Sequence, residues 1–372
     1  MSNVIKENNI IAFAPGFYLQ KYLTNQEISQ EEFAKRIGIS KSKMSKIING
    51  NITLDDETIN KIAIVLGTSK ELWRNLDNQY KDQLFKIKEA KTNEQEKTIV
   101  KELDYNFWVK LNILPYARNW KEKINNLRKV LQVSDLTVLK QPDLFTQYRR
   151  VGNTVSEKNI VSSNAWIQTA IYLSRGKDVD DINLEYLKNH LSRIRDMSDQ
   201  NPQEFVPQLE AIFKKSGVKF VLIPDLKNTG INGAVKWINK GNNVLLMLNN
   251  RRKDADIFWF SLFHEIEHVF QQKKTKMIVS PSSDKSQGVV LEDNMMRKLE
   301  KEADDFARDT LLDKNNYKKF VSLGKFDINS IYYFAQTQKI APGIVVGRLQ
   351  KEGYVPYKSM CNRLKKQYEF VF

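Results

Sequence analysis

Apolar positions recur at helical spacing through most of the chain and at strand spacing in one stretch only. Between residues 14 and 80, short apolar-periodic segments alternate with Gly and Ser/Thr stops, a pattern that predicts a compact bundle of about five helices. Ser29 with Glu32 forms a capping box that opens the helix QEEFAKRI, and Gly38 closes it. Ser40 then caps a second helix, KSKMSKIIN, which stops at Asn49-Gly50. Two helices joined by so short a turn make a helix-turn-helix, with Met44, Ile47 and Ile48 facing its core. From residue 81 to about 205 the chain reads as further helices rich in Lys and Trp, such as NWKEKINNLRKVL and NLEYLKNHLSRIR, with an architectural role. The period changes at residue 217. GVKFVLIP, GAVKWI and NNVLLML are three β-rich runs separated by Gly and Asn, which predict a small antiparallel sheet.

The last part, 321–372, echoes the first. Phe334, Ala335 and Ile340 keep the spacing of Phe33, Ala34 and Ile39, while Val345 and Leu349 fall where Met44 and Ile48 fall. This predicts a second, degenerate helix-turn-helix-like unit whose second helix, PGIVVGRLQ, is apolar enough to pack rather than to touch DNA. The expected organisation is therefore an all-α helix-turn-helix bundle at 12–82, a helical connector at 83–205, a mainly α domain with a small antiparallel sheet at 206–320, and an extension at 321–372.

With 372 residues, of which 41% are hydrophobic and 28% charged, burying a core is not the difficulty, and the length favours two or three domains. The single cysteine, Cys361, excludes an internal disulfide framework and any Cys-rich zinc cluster, which fits a cytoplasmic protein. The first twenty residues lack the parts of a signal peptide, and IFWFSLF at 257–263 is too short to cross a bilayer, so no membrane association is expected. The net charge of +15 favours an acidic partner, nucleic acid being the commonest.

That charge bears on the helix-turn-helix. From Phe33 to Leu54 the chain carries Lys35, Arg36, Lys41, Lys43 and Lys46 and no acidic residue. A recognition helix enters the major groove by its N-terminal turns, so Lys41, Ser42 and Lys46 would face base edges of a double-stranded operator. Lys43, Asn49 and the helix end at Gln30 would hold phosphates. ISQEEFAKRIGISKSKMSKIINGN, followed by ETINKIAIVLGTSKELWRNLDNQY, resembles the XRE-type helix-turn-helix of HigA-like antitoxin repressors. The resemblance implies a homodimer on a palindromic operator.

The remaining chemistry lies in FWFSLFHEIEHVFQQ, which holds two of the three histidines. Residues four apart on a helix stack, so His264 and His268 can offer both imidazoles to one ion. Glu265 flanks that stripe and could take the proton of a water held there, generating a nucleophile for a peptide carbonyl, as in zinc peptidases. The run Phe258, Trp259, Phe260, Leu262, Phe263 reads as core. For the third ligand, His190 lies in a charged helix well upstream. In LEKEADDFARDTLL, Glu300, Ala303, Asp304 and Ala307 share one helical face, on which the small residues permit close helix approach. Glu300 would complete the site, and Asp304 would hydrogen-bond a ligating histidine and fix its tautomer. Glu292, Asp293 and Glu302 are rival ligands.

FWFSLFHEIEHVF with EKEADDFARDTLL resembles the ImmA/IrrE metallopeptidase family, as do SGVKFVLIP, GAVKW, AWIQTAIYLSRG and IAPGIVVGRLQKEG. The resemblance implies a zincin-like fold, Zn2+ on His264, His268 and Glu300, and Glu265 as base. It also implies narrow cleavage of a repressor or antitoxin-like protein in response to stress or a mobile element. One departure is Glu267, which stands where the family mostly has a small residue and lies on the flank of the metal stripe opposite Glu265. Two other classes remain open: an antitoxin-like repressor, with a toxin as partner, whose zincin domain is structural or partner-binding, and a metal-sensing repressor.

Overall fold

The computed structural model of the chain describes residues 3–7, 9–142, 144, 156–250, 253–272, 277–281 and 294–370. Two compact units emerge, residues 1–96 and 97–372. The first opens with a hairpin, β1 (Val4–Glu7) antiparallel to β2 (Ile10–Phe13), which the hydropathy pattern does not announce because four-residue strands are too short to establish a period. Five helices follow: α1 (Pro15–Asn25), α2 (Gln30–Arg36), α3 (Lys41–Ile48), α4 (Asp56–Leu66) and α5 (Lys70–Glu102). The boundary expected at 82–83 lies inside α5.

Local signals set these helices. Ser29 Oγ accepts from the Glu32 amide at 3.1 Å, Ser40 Oγ from the Lys43 amide at 3.1 Å, and Asp55 Oδ1 from the Thr58 amide at 2.7 Å. Each such cap stabilises its helix by about 1 kcal/mol. Gly38, at φ 65°, takes the left-handed turn that ends α2 without a Cβ penalty. Leu19, Phe33, Met44, Ile47, Ile48 and Ile62 form the centre of the core. At Gly16 a Cβ would stand 2.1 Å from the Ile47 carbonyl oxygen, so only glycine lets α1 lie directly on the end of α3.

The second unit contains α6 (Asn106–Lys110), α7 (Trp120–Leu131), α8 (Glu157–Ser174), α9 (Leu184–Asn189), α10 (Leu191–Asp196) and α11 (Pro202–Lys215). Then come β3 (Val218–Ile223), β4 (Ile231–Ile238), β5 (Asn243–Asn249), α12 (Ala255–Phe270), β6 (Ile278–Pro281) and α13 (Asn294–Leu311). Helices α14 (Lys314–Ser322), α15 (Ile328–Gln338) and α16 (Pro342–Lys351) complete it.

The sheet corrects the antiparallel expectation: it is mixed and four-stranded, in the order β3-β5-β4-β6, with β3 parallel to β5 and the other pairs antiparallel. The reason is β5, whose seven residues are all buried. A strand covered on both faces belongs inside a sheet, where it separates β3 from β4. One sheet face, through Val221, Leu245 and Met247, packs on α7 and α8; the other, through Phe220, Val235 and Leu246, packs on α11, α12 and the C-terminal helices. Helix α16 is packed as its apolar sequence predicts, with Ile344, Val345, Val346 and Leu349 buried. No helix among the described residues is long and apolar enough to cross a membrane.

Candidate metal centre and nucleic-acid interface

In the first unit, Gln30 is exposed at the first position of α2, and Lys41, Ser42 and Lys46 are exposed along α3. The lysines are less free than the run of basic residues suggests. Lys41 Nζ is 2.8 Å from Glu31, Lys43 Nζ is 2.7 Å from Asp55, and Lys35 and Arg36 pair one turn back with Glu31 and Glu32. The Lys41 and Lys35 ammoniums hold the Glu31 carboxyl below its ordinary value. Lys43 and the Thr58 cap bring Asp55 down to about 2. Lys46 has no acidic partner among the described residues. Asn49 folds back, its Nδ2 donating to the Ser45 carbonyl at 2.9 Å. The acids responsible lie just outside the stretch 33–54 or on the next helix, so charge counting along the sequence misses them.

In the second unit, α12 carries His264, Glu265 and His268, and α13 carries Glu300 and Asp304. The small faces of Ala303 and Ala307, both fully buried, let the two helices approach. His264 Nε2 lies 3.3 Å from Glu300 Oε2 and 3.0 Å from His268 Nε2, which is itself 3.2 Å from Glu300 Oε1. The three donor groups fall within 4.8 Å of one another. Each ring is held from behind. Asp304 Oδ1 is 2.9 Å from His264 Nδ1, and Gln271 Oε1 is 2.8 Å from His268 Nδ1, while Gln271 Nε2 donates to the Leu299 carbonyl at 2.9 Å. Asp304 and Gln271 thus engage both Nδ1 atoms, which leaves both Nε2 atoms turned toward the Glu300 carboxylate. Among the rivals, Glu302 is exposed and 3.8 Å from Lys298, and Glu292 and Asp293 lie outside the described residues. His190 is not part of the cluster, and its Nδ1 is spent on the Tyr186 carbonyl at 2.7 Å.

Three Lewis bases so close together require a positive charge among them, and the protonation pattern reflects it. Burial disfavours an imidazolium at His264, yet Asp304 and Glu300 outweigh burial and push it up to about 10. Burial likewise works against ionised Glu300, but its contacts with both histidines bring it down to about 2. Two imidazoles and one carboxylate, each imidazole oriented by a hydrogen bond from its far nitrogen, are the donor set of a zinc site, and the residues present fit that ion.

Glu265 is fully buried on the neighbouring flank of α12. It lies against Gly233 of β4, where a Cβ would stand 2.4 Å from Glu265 Oε1. Gly233 and Gln271 were missed by sequence reasoning. A glycine inside a strand is itself a sign of close approach, and Gln271 follows His268 at helical spacing. Glu267 is half-buried, and burial pushes its carboxyl up against the pull of His268. Phe260 packs at the edge of the core and, half-buried, also helps line a cavity of about 540 Å³ that reaches His264, Glu265, Glu300, Arg308, Ile344 and Tyr357.

The chain thus joins a helix-turn-helix DNA-binding unit to a unit holding a buried His–His–Glu donor cluster beside a cleft. Residues 19–73 match the helix-turn-helix family model. An uncharacterized HTH-type transcriptional regulator, YddM, of Escherichia coli (strain K12) is 33% identical over 66 residues, covering 18% of this chain and 70% of that protein. A solved structure of an addiction module antidote protein of the HigA family from Coxiella burnetii is 27% identical, covering 22% of this chain and 91% of that one, with a TM-score of 0.21. Through this N-terminal segment the chain belongs to the helix-turn-helix family of transcriptional regulators.

Proposed function

We propose that this regulator carries in its second unit a zincin-like zinc endopeptidase that cleaves a repressor or antitoxin-like protein. It would act in the cytoplasm, as a homodimer on a palindromic operator. The observation that carries the reading is the convergence of His264, His268 and Glu300 within 4.8 Å with both far ring nitrogens already engaged. His264, His268 and Glu300 would hold Zn2+, and the ion would supply Lewis acidity that polarises a peptide carbonyl and lowers the pKa of a water. Asp304 and Gln271 fix the ring tautomers and orientations. Glu265 is the general base: its carboxylate is held in place between α12 and Gly233, one helical step from His264. Burial of Glu265 excludes bulk water from the proton it takes and later returns to the leaving amine. The cavity beside it, walled by Phe260 and Ile344, receives the peptide.

Metal analysis of the purified protein, paired with Glu265→Gln in cells carrying the native locus, tests the reading. Zinc near one equivalent in both proteins, with the cellular response lost only in the variant, is the expected result. A chain that takes up no zinc would end the proposal. Unchanged function of Glu265→Gln with zinc retained would instead assign the cluster a structural or partner-binding role.

A further inference from the structure

The charge of this protein is not where its DNA reader is. Residues 1–96 contain 14 Lys and Arg against 13 Asp and Glu, whereas residues 97–372 contain 45 against 31, so 14 of the 15 net positive charges belong to the second unit. Within the first unit the basic side chains around α2 and α3 are largely occupied by Glu31, Glu32 and Asp55. Duplex binding draws its sequence-independent affinity from neutralised phosphates, which calls for cations free to meet them.

Such cations are gathered where α5 ends and α7 begins. Lys101 Nζ lies 5.6 Å, and Lys123 Nζ 5.1 Å, from the centre of the Trp120 ring, and Lys123 is also 5.5 Å from that of Tyr105. The ring fixes two ammoniums without neutralising either, because an aromatic face attracts a cation but carries no net charge. Arg118 and Lys121 flank Trp120 and are exposed, as is Lys101. None of these four has an acidic partner among the described residues. Glu102, the nearest acid along α5, is paired with Lys158 at 3.6 Å, and Glu122 is engaged by Asn119. The opposite face of α7, through Ile124, Leu127 and Leu131, is buried in the core, so the cationic face is the one left outward.

We propose that Lys101, Arg118, Lys121 and Lys123, ordered around Trp120, form a second DNA-contacting surface that grips the phosphate backbone of duplex DNA without reading its sequence. The second unit thereby supplies much of the electrostatic affinity that the nearly neutral headpiece lacks.

The test uses the full-length chain and a labelled duplex of random sequence, with affinity measured across a salt series. Substituting all four residues by Gln should flatten the slope of log affinity against log salt by about 0.9 for each phosphate that is no longer neutralised, about three to four in all. Arginine at Lys101, Lys121 and Lys123 should keep the wild-type slope, which separates loss of charge from loss of fold. Lys46→Gln in the headpiece should lower the slope by no more than about one. An unchanged slope and affinity in the Gln variant would overturn the proposal. A loss confined to single-stranded RNA, with duplex binding intact, would overturn the assignment to DNA.

Discussion

Substituting Gly233 by alanine probes the geometry around Glu265 without touching a metal ligand. The added methyl would stand 2.4 Å from Glu265 Oε1, 2.6 Å from its Cδ and 2.7 Å from its Cγ. Ordinary contact begins near 3.4 Å, so the carboxylate must retreat by about 1 Å or β4 must shift away from α12. Overpacking of this kind costs about 1–3 kcal/mol, and a reacting group displaced by about 1 Å loses on the order of 100-fold in rate. On the proposed reading the variant should therefore bind zinc as the unaltered chain does, lose most peptidase activity and unfold at lower denaturant concentration. A double-mutant cycle isolates the cause, because Glu265→Ala removes the three atoms nearest the new methyl. Gly233→Ala should be destabilising in the wild-type background and close to neutral in Glu265→Ala, read as the shift in urea midpoint for each pair. An equal cost in both backgrounds would refute the contact between Gly233 and Glu265 as the source of the effect.

Asp304→Ala and Gln271→Leu each remove a hydrogen-bond partner from a far ring nitrogen and should weaken zinc affinity by about 10–100-fold, measured by competition with a chromophoric chelator; unaltered affinity in both would mean the rings are positioned by packing alone. In metal-free protein, His264 at about 10 lies above its ordinary 6.5. Its contribution to stability is complete below about pH 6.5 and lost as pH rises through about 10. Urea unfolding in EDTA should weaken across that window, while the zinc-loaded protein, its imidazoles unprotonated throughout, should not follow; parallel profiles would contradict the assignment.

The sequence was informative wherever a local rule decided the structure. Ser29, Ser40 and Gly38 mark their helix ends because capping and left-handed turns need only neighbours along the chain. The placing of Glu300 and Asp304 near the histidines was legible from one helical face, since alanines at 303 and 307 imply close approach before any partner is known. Strand order was not legible. Periodicity says which residues share a face but is silent on which strand lies beside which, so the parallel pairing of β3 with β5 and the fourth strand at Ile278–Pro281 needed the fold. Gly233 and Gln271 depend on contacts between distant elements and carried weak signals. The segment rich in lysine was plain, but its neutralisation was hidden, because Glu31 and Asp55 come alongside only when the helices pack.

Those acids have a further consequence. If Lys41 and Lys43 meet an operator as the helix-turn-helix reading proposes, Glu31 and Asp55 would be tethered rivals to DNA for their ammoniums, and engagement would exchange one anion for another. Both pairs are largely exposed, and a surface pair of this kind is worth at most about 1 kcal/mol, so each exchange would subtract a modest amount from what the same lysine gains by meeting a phosphate. The net cost would fall most heavily on sequence-independent binding, where no base-edge contact offsets it.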